Sequence, residues 1–267
     1  MRLLRQLRIL TGVQYAYMLE YRAELYLWVL SGVMPFFLMG LWMEAGRLAA
    51  AAPAAALADP ARFARYFLAV FLVRQITLVW VIYDVEDDVV KGRLSPQLLQ
   101  PLNPFWRYLA SHLGERLARL PFLAILTLGV FWLVPTSRFP WEPARLPVAA
   151  AMLAAAFLLR FVMQYCFAML AFWTERANAI DDLSFLLYLF LSGFLAPLDL
   201  FPATVREFAT WTPFPYLVYL PAELLAGAIP PGLGRGCLVM AAWLALFTAL
   251  ALLLWRRGLR RYSAMGA

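Results

Sequence analysis

Six stretches of the chain stay apolar for the length of a membrane-crossing helix: about 25–43, 66–83, 117–134, 147–173, 183–200 and 236–255. A hydrocarbon core of roughly 30 Å needs about 20 helical residues to cross it. Runs such as LAILTLGVFWLV (123–134) and LVMAAWLALFTALALLLW (238–255) show none of the alternation of a barrel strand. The pattern therefore predicts an all-α polytopic membrane protein with six transmembrane helices, forming a single transmembrane domain over residues 1–267. The fourth stretch is long enough to tilt. The first is read as a retained helix, because more than twenty residues precede it and it exceeds a signal-peptide core.

The segments between the spans are patterned too. In residues 1–23, Leu3, Leu4, Leu7 and Leu10 fall on one helical face with Arg2, Arg5 and Arg8 largely off it. That is the pattern of an interfacial helix; the alternative is a basic leader that only sets topology. Residues 44–65 form an Ala/Pro-rich connector. The 84–120 segment opens on Asp84, Glu86, Asp87 and Asp88, turns through Lys91, Gly92 and Arg93, and continues with Leu94, Leu98 and Leu99. Pro96, Pro101 and Pro104 prevent one long helix, so a short helix between charged edges is expected over 84–106, suited to docking a partner or serving as a solvated linker. Residues 191–227 carry five prolines (Pro197, Pro202, Pro213, Pro215, Pro221) among Phe194, Phe201, Phe208, Trp211, Phe214, Tyr216 and Tyr219. That is too aromatic for a solvated loop and too interrupted for a span. Two short helices dipping into the membrane over 201–230 fit it best, as a gate or as a hydrophobic lid.

Composition agrees with the pattern. The chain is 64% hydrophobic and 15% charged, with a mean hydropathy of +0.72. A soluble domain is nearer 45–50% apolar and about 25% charged. The net charge of +7 has a topological reading. With both termini placed in the cytoplasm, 14 basic residues lie inside and 7 outside, and Arg74 and Arg160 lie within spans. Nucleic acid is therefore not an expected partner. Cys166 and Cys237 sit in apolar runs and form no CxxC, and the lone His112 rules out a histidine metal cluster.

The two unusual segments, in this order on six spans, resemble the permease subunit of type-2 ABC exporters. The first is similar to that family's coupling region: acids, then Lys91-Gly92-Arg93-Leu94, a short helix with Leu98 and Leu99, and Pro101 before span three. The second is similar to an S-G-x-x-x-P-L…F-P…P-F…P…G pattern, met by Ser192, Gly193, Pro197, Leu198, Phe201, Pro202, Pro213, Phe214, Pro221 and Gly227. The YRAELYLWVLSG stretch and the RYSAMGA tail look like one bacterial branch. The resemblance implies a multi-pass protein of the bacterial inner membrane that exports substrate as a homo- or heterodimer of permeases among membrane lipids, each resting on a separate cytosolic ABC ATPase. Asp84, Glu86, Asp87, Lys91, Gly92, Arg93, Leu98 and Leu99 would couple to the ATPase, and Pro197, Phe201, Pro202, Pro213 and Phe214 would gate the outer end. ATP and Mg would sit on that partner, with no cofactor in this chain. The sequence agrees, having no G-x-x-x-x-G-K-[ST] phosphate cradle.

Arg74 and Arg160 are expected near mid-membrane, where a basic residue costs at least about 2.5–3.5 kcal/mol. Either snorkels, bonds carbonyls at a packed interface, or faces a pathway. Asp181 and Asp182 open span five and are placed to cap its first turn, and Glu175 and Arg176 are placed to pair. Two other classes compete. A lipid-modifying membrane enzyme would need clustered His, Asp or Glu at the interface, and an ion-coupled carrier would need deep acids, of which the spans offer only Asp199.

Overall fold

The computed structural model describes residues 2–49, 59–140, 142–174 and 176–265, which are helical with no strand among them. Twelve α-helices are named here: α1 (Arg2–Glu20), α2 (Arg22–Ser31), α3 (Met34–Ala49), α4 (Pro60–Thr77), α5 (Val81–Val90), α6 (Leu94–Leu98), α7 (Pro104–Leu133), α8 (Leu146–Ala168), α9 (Asn178–Leu191), α10 (Ala203–Trp211), α11 (Tyr219–Leu225) and α12 (Leu233–Met265). Short 3-10 turns follow α7, extend α8 and break up the stretch between α9 and α11. Two starts are local in origin. Asp59 and Asn103, each followed by proline, cap α4 and α7 by accepting from Ala61 N–H and Phe105 N–H, both at 2.9 Å.

Among the described residues, five segments are long and apolar enough to cross a membrane: Leu25–Leu48, Pro60–Val90, Pro104–Leu133, Leu146–Phe172 and Leu233–Tyr262. The expected span over 183–200 does not appear as one helix. Its helical part, α9, has 14 residues, about 21 Å at 1.5 Å per residue. It stops at Ser192, and Gly193 turns the chain with φ 83°. Residues 84–90, expected to begin a loop, instead continue the helix as α5. Gly92, with φ 71°, then ends it in a left-handed turn.

α4 lies at the centre of the bundle. Phe63, Tyr66, Phe67, Leu68 and Val70 are fully buried there, and α4 packs against α3, α8 and α11. α1 runs along α7, and α12 along α8.

The helices are broken in several places, and in lipid a broken helix exposes backbone groups that no water can satisfy. Side chains from neighbouring helices satisfy them. Between α2 and α3, the Val29 carbonyl accepts from Gln75 Nε2 at 3.0 Å. Between α4 and α5, where residues 78–80 leave the helix, α7 supplies two partners one turn apart. His112 Nε2 accepts from Trp80 N–H at 3.0 Å, and Arg116 Nε donates to the Ile76 carbonyl at 3.1 Å. His112 Nδ1 lies 2.9 Å from the Tyr108 carbonyl. Nδ1 therefore carries the proton and Nε2 is the acceptor, so the ring is neutral. The lone histidine is a backbone cap. Arg119 and Arg116 share Glu115, and both arginines are buried against the break.

His112→Ala should strand the Trp80 N–H and lower stability by about 1–3 kcal/mol. Thermal unfolding in mild detergent would measure this, with the half-buried neighbour change Ser111→Ala leaving the midpoint nearly unmoved. An unshifted His112→Ala midpoint would remove His112 from this role.

Candidate functional site

The acidic run on α5 faces three ways. Asp87 pairs with Lys91 at 2.5 Å and with Arg93. Asp88 Oδ2 accepts from Gln97 Nε2 at 2.5 Å and from the Tyr108 hydroxyl at 2.7 Å, while Arg93 Nε lies 3.3 Å from Oδ1. One carboxylate thus joins α5, α6 and α7. Glu86 points elsewhere and accepts from the backbone N–H of Asn178 at 2.8 Å, the first residue of α9. That bond, and not Asp181 or Asp182, caps α9. Asp181 instead accepts from Gln164 Nε2 at 3.0 and 3.1 Å and from Ser184. The expected partner of Arg176, Glu175, lies outside the described residues. Asp84 lines a groove of about 890 Å³ between α1 and the α5–α7 pair.

The short helix α6 is a knob with a buried foot. Leu94 is fully buried, while Leu98 and Leu99 are exposed, Leu99 at 89%. Ser95 Oγ lies 2.9 Å from the hydroxyl of Tyr262 on α12. Of the residues singled out from sequence, Asp87, Lys91 and Arg93 come together by ion pairing, and Asp84, Glu86, Asp87 and Arg93 line the same groove, while Leu98 and Leu99 are exposed at the tip of α6.

At the other end of the α4–α5 segment, α10, α11 and the turns around them form a second cluster. Tyr66 donates to the Gly193 carbonyl at 2.7 Å, Trp42 Nε1 to the Leu195 carbonyl at 2.9 Å, and Tyr219 N–H to the Ser192 carbonyl at 3.0 Å. A side chain on Gly193 would meet the Tyr66 hydroxyl and the Tyr219 Cβ, so glycine is needed for space as well as for its φ. Arg62, near the start of α4, holds Asp199 at 2.7 Å and Glu223 at 3.3 Å. Glu223 belongs to α11, and its side chain is only 5% exposed. The proposed gate residues divide: Pro197, Pro213 and Phe214 are buried, Phe201 is half-buried and Pro202 exposed. Sequence reasoning missed the Arg62–Asp199–Glu223 lock. Its one local signal was an acid inside the apolar run YLPAELL.

Arg74 and Arg160 lie near the middle of Pro60–Val90 and Leu146–Phe172. Arg160 is buried with its guanidinium 4.4 Å from the Tyr188 ring centroid, and Arg74 is half-buried 5.5 Å from that of Phe194. Neither bonds a backbone carbonyl among the described residues.

With this geometry in place, the comparisons add one match. Residues 63–266 match the family described as ABC-2 family transporter protein. Comparison with curated proteins found no match.

Arg62→Ala should leave the buried Glu223 carboxylate without its cation. The expected loss is about 1–3 kcal/mol, below the figure for a fully buried pair because Arg62 and Asp199 are each about a third exposed. Adding Glu223→Gln should recover part of it. Detergent unfolding of the two single variants and the double variant would read the coupling; strictly additive changes would dissolve the lock.

Proposed function

The chain belongs to the ABC-2 transporter family, and we propose that it works as the membrane-spanning permease of an ABC exporter driven by a separate cytosolic ATPase. That it is a multi-pass membrane protein follows from the family and the five apolar helices. In this reading the protein sits in a bacterial inner membrane with both termini in the cytoplasm, and pairs with a second permease to enclose the pathway. α1 lies in the headgroup plane. ATP and Mg bind the partner, and this chain contributes no hydrolytic residue.

The observation that carries the reading is α6. A five-residue helix with a buried foot and two exposed leucines at its tip is shaped to seat in another protein. An isolated Leu99 left in water would gain nothing, whereas burying it stabilises a complex by about 1.5–3 kcal/mol. The charges around the tip are already paired within the chain, which holds the knob rigid.

Motion of α6 has a continuous route inward. Asp88 ties α6 to α5 and α7, and Glu86 ties α5 to the first residue of α9. The far end of α9 meets α11 through Ser192 and Tyr219. A push on the knob would therefore tilt α9 and pull on the segment held by Tyr66 and Arg62. α10 and α11 would be the re-entrant pair that opens outward. A carrier reading would need free acids, but Asp199 and Glu223 are both held by Arg62.

Truncating Leu98 and Leu99 to Ala together should weaken ATPase binding by at least about tenfold and separate ATP turnover from transport in reconstituted vesicles, with the spans still folded. Charge reversal at Glu86 and Asp87 should uncouple in the same assay, through α9 and the knob respectively. Gentle-detergent purification from the native membrane should bring down a stoichiometric nucleotide-binding ATPase. Its consistent absence, or full coupling in the leucine variant, would overturn the reading.

A further inference from the structure

Among the buried arginines, the two at mid-span differ from the others. Arg116 donates to two backbone carbonyls and pairs with Glu115, and Arg119 pairs with the same acid; each also keeps buried nitrogens without a partner, but both charges are matched by an ion pair. Arg160 is 6% exposed, yet its Nε and one terminal nitrogen (NH1) are buried without any hydrogen-bond partner. The hydroxyl of Tyr188, 3% exposed, is likewise unpartnered. Arg74 makes no hydrogen bond or ion pair among the described residues; what it touches is the Phe194 ring. The Tyr188 and Phe194 rings lie 6.1 Å apart, so the two guanidiniums flank one aromatic pair contributed by α9 and the turn after it. Their charges are close enough to repel each other. Asp181 lies close enough to feel the Arg160 charge, but its oxygens are taken up by Gln164 and Ser184 and it forms no ion pair with either arginine.

Aromatic faces hold such cations in place but do not neutralise them. A buried charge left unpaired, with donors unused, is costly in lipid. The missing complement is an anion with acceptor oxygens.

We propose that Arg74, Arg160 and Tyr188 form a binding site for an oxyanion, a phosphate or carboxylate group borne by the transported molecule. This rests on the permease reading and adds to it the class of substrate: an amphiphile with an anionic head. The geometry suits that class because the site lies at mid-span between α4, α8 and α9, with an aromatic ring beside each guanidinium and unpartnered donors on Arg160 and Tyr188. The oxyanion is either the head of an amphiphile or a free inorganic ion, and the same donors would hold both.

The test uses the purified full chain in neutral maltoside detergent, with thermal unfolding followed as probe is added. Dodecyl phosphate should raise the midpoint saturably, while dodecyltrimethylammonium should not. Arg160→Gln and Arg74→Gln should each weaken the response at least tenfold, and Tyr188→Phe by less. Arg160→Lys should keep part of it. Without probe, Arg160→Gln and Arg74→Gln should unfold little below the parent, since each removes a charge that forms no ion pair; a steep fall in both would mark the arginines as structural and overturn the site. A shift with inorganic phosphate that is lost in the Gln variants would support the site and assign it to free oxyanions. No saturable shift with either phosphate, or an undiminished shift in both Gln variants, would overturn it. Arg74→Gln, at a half-buried position, carries the comparison if Arg160→Gln does not fold. None of these readouts involves an ATPase, so failure of this site and failure of the permease reading are observed separately.

Discussion

A helix that breaks inside a bilayer must find partners for the backbone groups it frees, and in this chain those partners are side chains on other helices. Gln75 serves the gap between α2 and α3. His112 and Arg116 serve the one between α4 and α5, and Tyr66 and Trp42 the turn after α9. Remove these and the broken geometry has no reason to persist, because no proline or glycine sits at residues 78–80 to enforce it. The arrangement of α4, α7 and α9 depends on these few bonds more than on apolar packing. Packing in lipid is nearly indifferent to which apolar neighbour a leucine finds.

The same bonds make the bundle mechanical. α9 is held at its start by Glu86 and at its end by Tyr219, so its position reports on α5 and α11 together. Beyond these ends α9 is tied to α8 through Gln164 and Asp181, and one face of it is left open: Leu183, Phe185, Leu186 and Phe190 are exposed. The Arg62 lock at one end of α4 and the Asp88 junction beyond the other bracket this element. In the exporter reading, these are the two places where the ATPase stroke and the outward opening would be felt.

Buried arginines serve two purposes here, and their ion pairs tell them apart. Arg116 is held by the fold: the carbonyls of Ile76 and His112 and the carboxylate of Glu115 take up its Nε and one terminal nitrogen, so its charge is paired although its other terminal nitrogen is buried without a partner. Arg160 rests on a ring and keeps donors unused. Sequence placed both kinds in or near a span and had no means of separating them, since a lone arginine in an apolar run looks the same in either case.

Much of the architecture was legible in the amino-acid order. Hydropathy alone located five crossing helices, because lipid imposes a length on every apolar run whatever its neighbours. The turn through Lys91, Gly92 and Arg93 and the short helix after it were read from local charge and proline, and the proline-rich 191–227 segment announced short helices, since each of these signals acts over a few residues. The tertiary structure decided the rest. It shortened the fifth stretch to α9, opened the α4–α5 break, turned Glu86 toward Asn178 and joined Arg62 to Glu223 across 161 positions. Those outcomes depend on which polar group arrives from a distant helix to satisfy a freed amide or a buried charge. A one-dimensional pattern of apolar and polar residues carries the length of each helix but not the identity of its partner.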